Sequence, residues 1–155
     1  MGLVAKPFAG PGVIYNEGGL VVTAFAVAHE PVSPAVGYRF DFKGRSVVIS
    51  GDTAYSASLV AAAKGADLLA HEAQANAMVA KIGEAASAAG VARLSKIMSD
   101  IPSYHSSPAD AARAATEAGV GALALTHLTP APDNAIARRI FLRDLPQSWR
   151  KKTRL

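Results

Sequence analysis

Polar and apolar positions alternate along residues 38–42, with Tyr38, Phe40 and Phe42 set against Arg39 and Asp41. A period of two marks a strand with one face buried. Lys43-Gly44 then makes a turn, and RSVVIS (45–50) continues as an apolar run without alternation, the pattern of a strand covered on both faces. LVVTAFAVAH (20–29), DLLAHE (67–72) and VGALALTHL (120–128) read as further strands. EPVSPA (30–35) is a two-proline turn, and residues 1–18, with scattered Gly and Pro, read as loop or a weak strand.

Between the strands the pattern changes. SASLVAAAKGAD (56–67) predicts a short helix, with Ser56 as N-cap and Gly65 as its stop. Residues 73–98 are Ala-rich with scattered charges and predict helix, broken at Gly83 and Gly90. SSPADAARAATEAG (106–119) carries clear signals at both ends. Ser106 or Ser107 caps it, Pro108 sits in the first turn, Asp110 faces the positive end of the dipole, and Gly119 terminates it. Residues 133–143 predict a last short helix. The order β, β, β, α, β, α, α, β, α predicts a layered α/β fold.

At 155 residues the chain has the size of one ordinary domain, and half of it is apolar, enough to bury a core. There is no Cys, which excludes disulfides and thiolate ligands. A metal would be held by His, Asp or Glu. No apolar run reaches the ~20 residues of a membrane span. The start, MGLVAKPFAGPGV, lacks the charged and apolar regions of a signal peptide. A soluble cytoplasmic protein without membrane contact is expected. Residues 1–132 hold 9 Lys/Arg against 10 Asp/Glu, whereas residues 133–155 hold 7 against 2. The basic character therefore belongs to the tail, which reads either as a surface for nucleic acid or anionic lipid or as a solvated, partly frayed end.

The four histidines fall at element ends. His29, His71 and His127 each close a predicted strand, and His105 lies just before the capped helix. Asp52 follows a strand across one residue, Gly51. In layered α/β folds the crevice beyond strand C-termini is where ligands bind. Imidazole and carboxylate donors suit a zinc hydrolase, and a short Asp beside a Gly can approach two metals at once. Each residue has a plainer reading: a strand-end His as a hydrogen-bonded structural group, Asp52 as a turn or cap residue, His71-Glu72 as an exposed pair, His105 as a packing partner of Tyr104.

His29, GYRF (37–40), RSVVISGDT (45–53), ADLLAHEA (66–73), YHSSPADAARAATEAGV (104–120) and LALTHL (123–128), in this order, resemble the C-terminal half of a metallo-β-lactamase-fold hydrolase of the ribonuclease Z and arylsulfatase-like branch. The resemblance implies half of a four-layer αββα sandwich, a mixed sheet with flanking helices. It implies His29, Asp52 and His127 as ligands of two Zn2+, with Asp52 bridging. It implies His105 as the catalytic histidine acting with Asp52, and His71 and Glu72 as residues supporting the site from behind. The implied function is hydrolysis of a phosphate, sulfate or ester bond in a small molecule by metal-bound hydroxide. One alternative is 3′ processing of transfer RNA by a ribonuclease Z-like enzyme, with RNA as substrate. Short connections between residues 29 and 52 leave no room for an RNA-binding arm there. Another alternative is a non-catalytic binding or assembly module.

The family's HxHxDH run is absent from this sequence. Residues 1–155 are therefore expected to form a single partial domain whose N-terminal half is missing. Such a half would expose one apolar sheet face, and a homo-oligomer or a complementing half is expected to cover it.

Overall fold

The structure is a computed structural model and describes residues 5–155; residues 1–4 of the stretch read as loop or weak strand lie outside it. Among the described residues, seven strands form one mixed sheet in sequence order. β1 (Gly12–Glu17), β2 (Leu20–Ala26), β3 (Val36–Phe42) and β4 (Arg45–Ile49) run antiparallel, and β5 (Leu68–Gln74), β6 (Ala122–Thr129) and β7 (Thr153–Arg154) continue parallel to β4. β1–β2 and β3–β4 are joined by two-residue hairpin turns, Gly18-Gly19 and Lys43-Gly44, all four residues with positive φ, whereas residues 27–35 connect β2 to β3. The weak-strand reading of residues 12–17 thus holds.

The parallel strands need helical crossovers. α1 (Ala57–Ala62) joins β4 to β5, and its N-cap Ser56 accepts from the Leu59 amide. α2 (Asn76–Ala88), α3 (Ala92–Asp100), a 3-10 turn (Ile101–Ser103) and α4 (Pro108–Ala118) lead from β5 to β6. Ser107 and Asp110 form a reciprocal capping box at α4, Pro108 opens the helix, and Gly119 closes it at φ +67°. The Ala-rich stretch breaks at Gly90 but not at Gly83. Gly83 lies inside α2, where its missing side chain lets the Met98 Cβ approach; a Cβ there would stand 3.1 Å away.

α1 and α4 pack on one sheet face, burying Phe25, Val48, Leu69, Leu123 and Leu125 against Leu59, Ala111 and Ala115. Alanines on α4 let helix and sheet approach closely. The opposite face carries Phe40, Val47, Ile49, Leu68 and Ala70, which share it by direct cross-strand register. These side chains are only half buried, and Ile49 is 41% exposed.

The tail is not a frayed end. α5 (Ala135–Phe141) and α6 (Gln147–Arg150) return the chain to the sheet, where β7 pairs with Leu123 and Ala124 of β6. Phe141, Leu145 and Trp149 join the helix-side core, and the Trp149 indole donates to Thr116 Oγ1 at 2.7 Å. An apolar residue every four positions (141, 145, 149) anchors the segment, a periodicity hidden among its charges.

Candidate active site

Three loops meet at the C-terminal end of the parallel strands. The first holds His29, which lies three residues beyond β2 rather than closing a strand as expected. The second holds Ser50-Gly51-Asp52-Thr53 after β4, and the third Tyr104-His105-Ser106 before α4.

Gly51 has φ +65°, and a Cβ on it would stand 2.5 Å from the Val36 carbonyl oxygen. Only glycine turns the chain there, and the turn directs Asp52 outward. Thr53 is fully buried and ties the first two loops together. Its Oγ1 accepts from the Ala28 amide at 3.1 Å and donates to the Ala54 carbonyl at 2.6 Å, while the Ala54 amide donates to the Ala28 carbonyl at 2.7 Å. Ser106 Oγ ties in the third loop by donating to the Thr53 carbonyl at 2.7 Å.

Glu72, on β5, ties the second and third loops together. Its Oε1 accepts from the Thr53 amide (2.9 Å), the Ser106 amide (3.3 Å) and His105 Nδ1 (2.8 Å), and its own amide donates to Ser50 Oγ. Oε2 is buried without a partner among the described residues. Burial raises the Glu72 carboxyl from its ordinary range to about 7, opposed by the two backbone donors. A proton on this carboxyl belongs on Oε2, because Oε1 already accepts three hydrogen bonds. His105 Nδ1 is then the donor to Glu72, and His105 Nε2 carries the lone pair. Burial lowers the His105 pKa, which keeps the ring neutral.

His29 is oriented in the same way. Its Nδ1 faces the Tyr104 carbonyl oxygen at 2.9 Å, and a carbonyl can only accept. Nδ1 therefore carries a proton, which leaves Nε2 as the ring's available ligand atom. His127 reaches the group through a backbone distortion. The β5–β6 register shifts between Glu72 and Ala73, and His127 has φ +44°. A non-glycine residue in that region is strained, and such strain gathers at functional sites. His127 Nε2 lies 3.5 Å from Asp52 Oδ2. The His29 and His105 rings are 5.0 Å apart, and the His105 and His127 rings stack at 6.0 Å.

The structure therefore gathers His29, Asp52, His105 and His127, with Glu72 behind them. His71 is not among them. It is buried on the helix-covered face, where Nδ1 donates to the Glu72 carbonyl at 2.7 Å and Nε2 has no protein partner. Burial lowers its pKa and keeps it neutral. The residues missing from the sequence reading are Ser50, Thr53, Ser106 and the Tyr104 carbonyl. Thr53 and Ser106 directly adjoin singled-out residues, but nothing in a sequence distinguishes a bracing hydroxyl from a solvated one.

The donor set suits a metal in kind. His29, His105 and Glu72 are held by second partners that fix which atom each presents, as ligand-orienting bonds do. Among the described residues, however, no three His, Asp or Glu side chains stand close enough to hold one ion by themselves.

Residues 7–128 match the family model of the beta-lactamase superfamily domain. The chain belongs to that superfamily. Among curated proteins it is 37% identical to ribonuclease Z of Mycobacterium avium over 120 residues, 77% of this chain and 39% of the relative. It is 37% identical to ribonuclease Z of Mycobacterium tuberculosis H37Rv over 123 residues, 79% of this chain and 40% of the relative. The chain thus spans about two fifths of these relatives' length. Among solved structures, the metallo-beta-lactamase fold protein YhfI of Bacillus subtilis superimposes with a TM-score of 0.55 at 24% identity, covering 84% of this chain and 46% of that one. The short form of human tRNase Z superimposes with a TM-score of 0.53 at 28% identity, covering 75% and 38%. The mixed sheet with flanking helices is the metallo-β-lactamase fold, and the chain is ribonuclease Z-like within it.

Proposed function

We propose that this superfamily member contributes the C-terminal part of a zinc-dependent phosphodiester hydrolase of the ribonuclease Z type. The observation that carries the reading is the convergence of His29, Asp52, His105 and His127 at one sheet end, with His105 held by a buried carboxyl. The 37% identity to ribonuclease Z favours a phosphodiester over a sulfate or carboxylic ester, and RNA over a small molecule. Both smaller alternatives share the same site chemistry.

His29, Asp52 and His127 would hold the metal. Bound zinc would lower the pKa of a coordinated water to ~7 and polarise the phosphoryl oxygen. The residues of this chain do the rest. The Tyr104 carbonyl fixes His29 with Nε2 outward, and the Thr53 hydroxyl locks the His29 loop to the Asp52 loop. His105 Nε2, left with its lone pair while Nδ1 donates to Glu72, can take a proton from the attacking water and return it to the leaving oxygen, and Glu72 Oε1 holds the ring in that orientation.

The three donors are too few for two tightly held ions. We infer that further donors come from a second segment that covers the half-buried sheet face carrying Ile49, Val47 and Phe40. That segment belongs either to a longer chain or to a second copy.

Zinc titration followed by calorimetry tests the metal assignment. Weak binding by the wild type and its loss in Asp52→Ala are expected. An unchanged isotherm in Asp52→Ala would overturn it. Hydrolysis of bis(p-nitrophenyl) phosphate, with zinc present, tests the reaction, and full activity in His105→Ala would remove His105 from it.

A further inference from the structure

Arg139, Arg143 and Arg150 line one cleft of about 440 Å3 between α5 and α6, with Leu142 as its one apolar lining residue. Arg150 is exposed and positioned by two carbonyls, its Nε donating to the Leu145 carbonyl (3.3 Å) and an Nη to the Arg143 carbonyl (3.2 Å). Carbonyls position the guanidinium without cancelling its charge. The nearest carboxylate is Asp144, 3.4 Å from Arg143 and exposed. Lys151 and Arg154 extend the charge beyond α6. The cleft lies outside residues 7–128, so it is an addition to the part that matches the superfamily.

We propose that this arginine cleft docks the phosphodiester backbone of RNA. Guanidinium forks match phosphate oxygens in pairs, and three of them, from α5, the connection after it and α6, suit a chain of phosphates better than one isolated anion. A membrane surface fits less well. The arginines converge on a recess, and α5 offers only Ile136 and Ile140 as exposed apolar anchors over two turns. Three of the four lining residues are cations, a charge density that complements a run of phosphates better than a protein surface of mixed charge. The choice of RNA over DNA rests on the phosphodiesterase reading; the phosphate chemistry does not.

Binding is measured on the metal-free full chain, so failure of hydrolysis leaves the test intact. The probe is a fluorescent single-stranded RNA, followed by anisotropy across a salt series. Affinity should fall steeply with salt, and Arg139→Ala/Arg143→Ala should weaken it about tenfold at low salt and flatten the log–log slope by about 1.4, two lost phosphate contacts. The charge-matched control Lys81→Ala/Lys96→Ala should leave affinity within about twofold. Trp149 fluorescence reports that each variant is folded. Equal weakening in the lysine control, or none in the arginine variant, overturns the proposal. So does binding to phosphatidylserine vesicles with no binding to RNA, and equal affinity for DNA overturns the choice of RNA.

Discussion

Glu72 Oε1 and His105 Nδ1 stand 2.8 Å apart across the floor of the site, one on a strand and the other on a loop 33 residues later. The carboxyl anchors three donors at once and leaves Oε2 bare. Its raised pKa makes it a pH-sensitive element of stability. A carboxyl whose folded pKa lies above its unfolded value stabilises the fold while protonated. That contribution is complete below pH 4.5 and is lost as pH rises through about 7. Stability of the metal-free protein from this group should therefore fall by a few kcal/mol across that window. Urea denaturation of wild type against Glu72→Gln, which cannot ionise, checks it; the variant should lose most of the slope.

Gly51→Ala forces a Cβ into the Val36 carbonyl in a backbone region that disfavours side chains. A loss of about 2 kcal/mol or more is expected, since relief requires moving the Asp52 loop. Thermal melting measures the loss, and zinc affinity should fall with it.

His127 holds a left-handed backbone at the end of β6. Asn tolerates that region and a β-branched residue does not. His127→Asn should keep nearly wild-type stability while losing zinc affinity. His127→Val should lose both, with a stability cost of about 1–3 kcal/mol. Equal stability of the two variants by urea denaturation would remove backbone strain as the cause.

Trp149 is buried in the main core and hydrogen-bonded to α4. Trp149→Ala should cost about 3–5 kcal/mol, as other large-to-small core changes do. A loss under about 1 kcal/mol would mean that the tail is not part of the cooperative unit.

The parts of the fold that follow from local rules were legible in the sequence. The Ser107–Asp110 cap, the Gly119 stop and the Lys43-Gly44 hairpin all depend on residues within a few positions of one another. Asp52, His105 and His127 stood out because chemically distinctive residues cluster at element ends. Features set by contacts across the chain did not show. His71 and Glu72 are adjacent and equally polar, yet a strand sends them to opposite faces: Glu72 bonds His105 directly, whereas His71 bonds the Glu72 carbonyl from the helix side. The frayed-end reading of the tail fails because three buried side chains, Phe141, Leu145 and Trp149, sit among seven cations. Gly83 reads as a helix breaker by propensity, and packing against Met98 overrides that cost.

The Thr53 brace reaches beyond static positioning. The amides of Ala28, Thr53, Ala54 and Ser106 all donate within one web joining the three site loops. Their acceptors, Thr53 Oγ1, Glu72 Oε1 and the Ala28 carbonyl, are linked through Thr53, so losing that residue's contacts loosens all three loops. The loops should exchange their amide hydrogens as one unit, at a rate set by the opening of the whole web, so that the site is either assembled entire or lost entire.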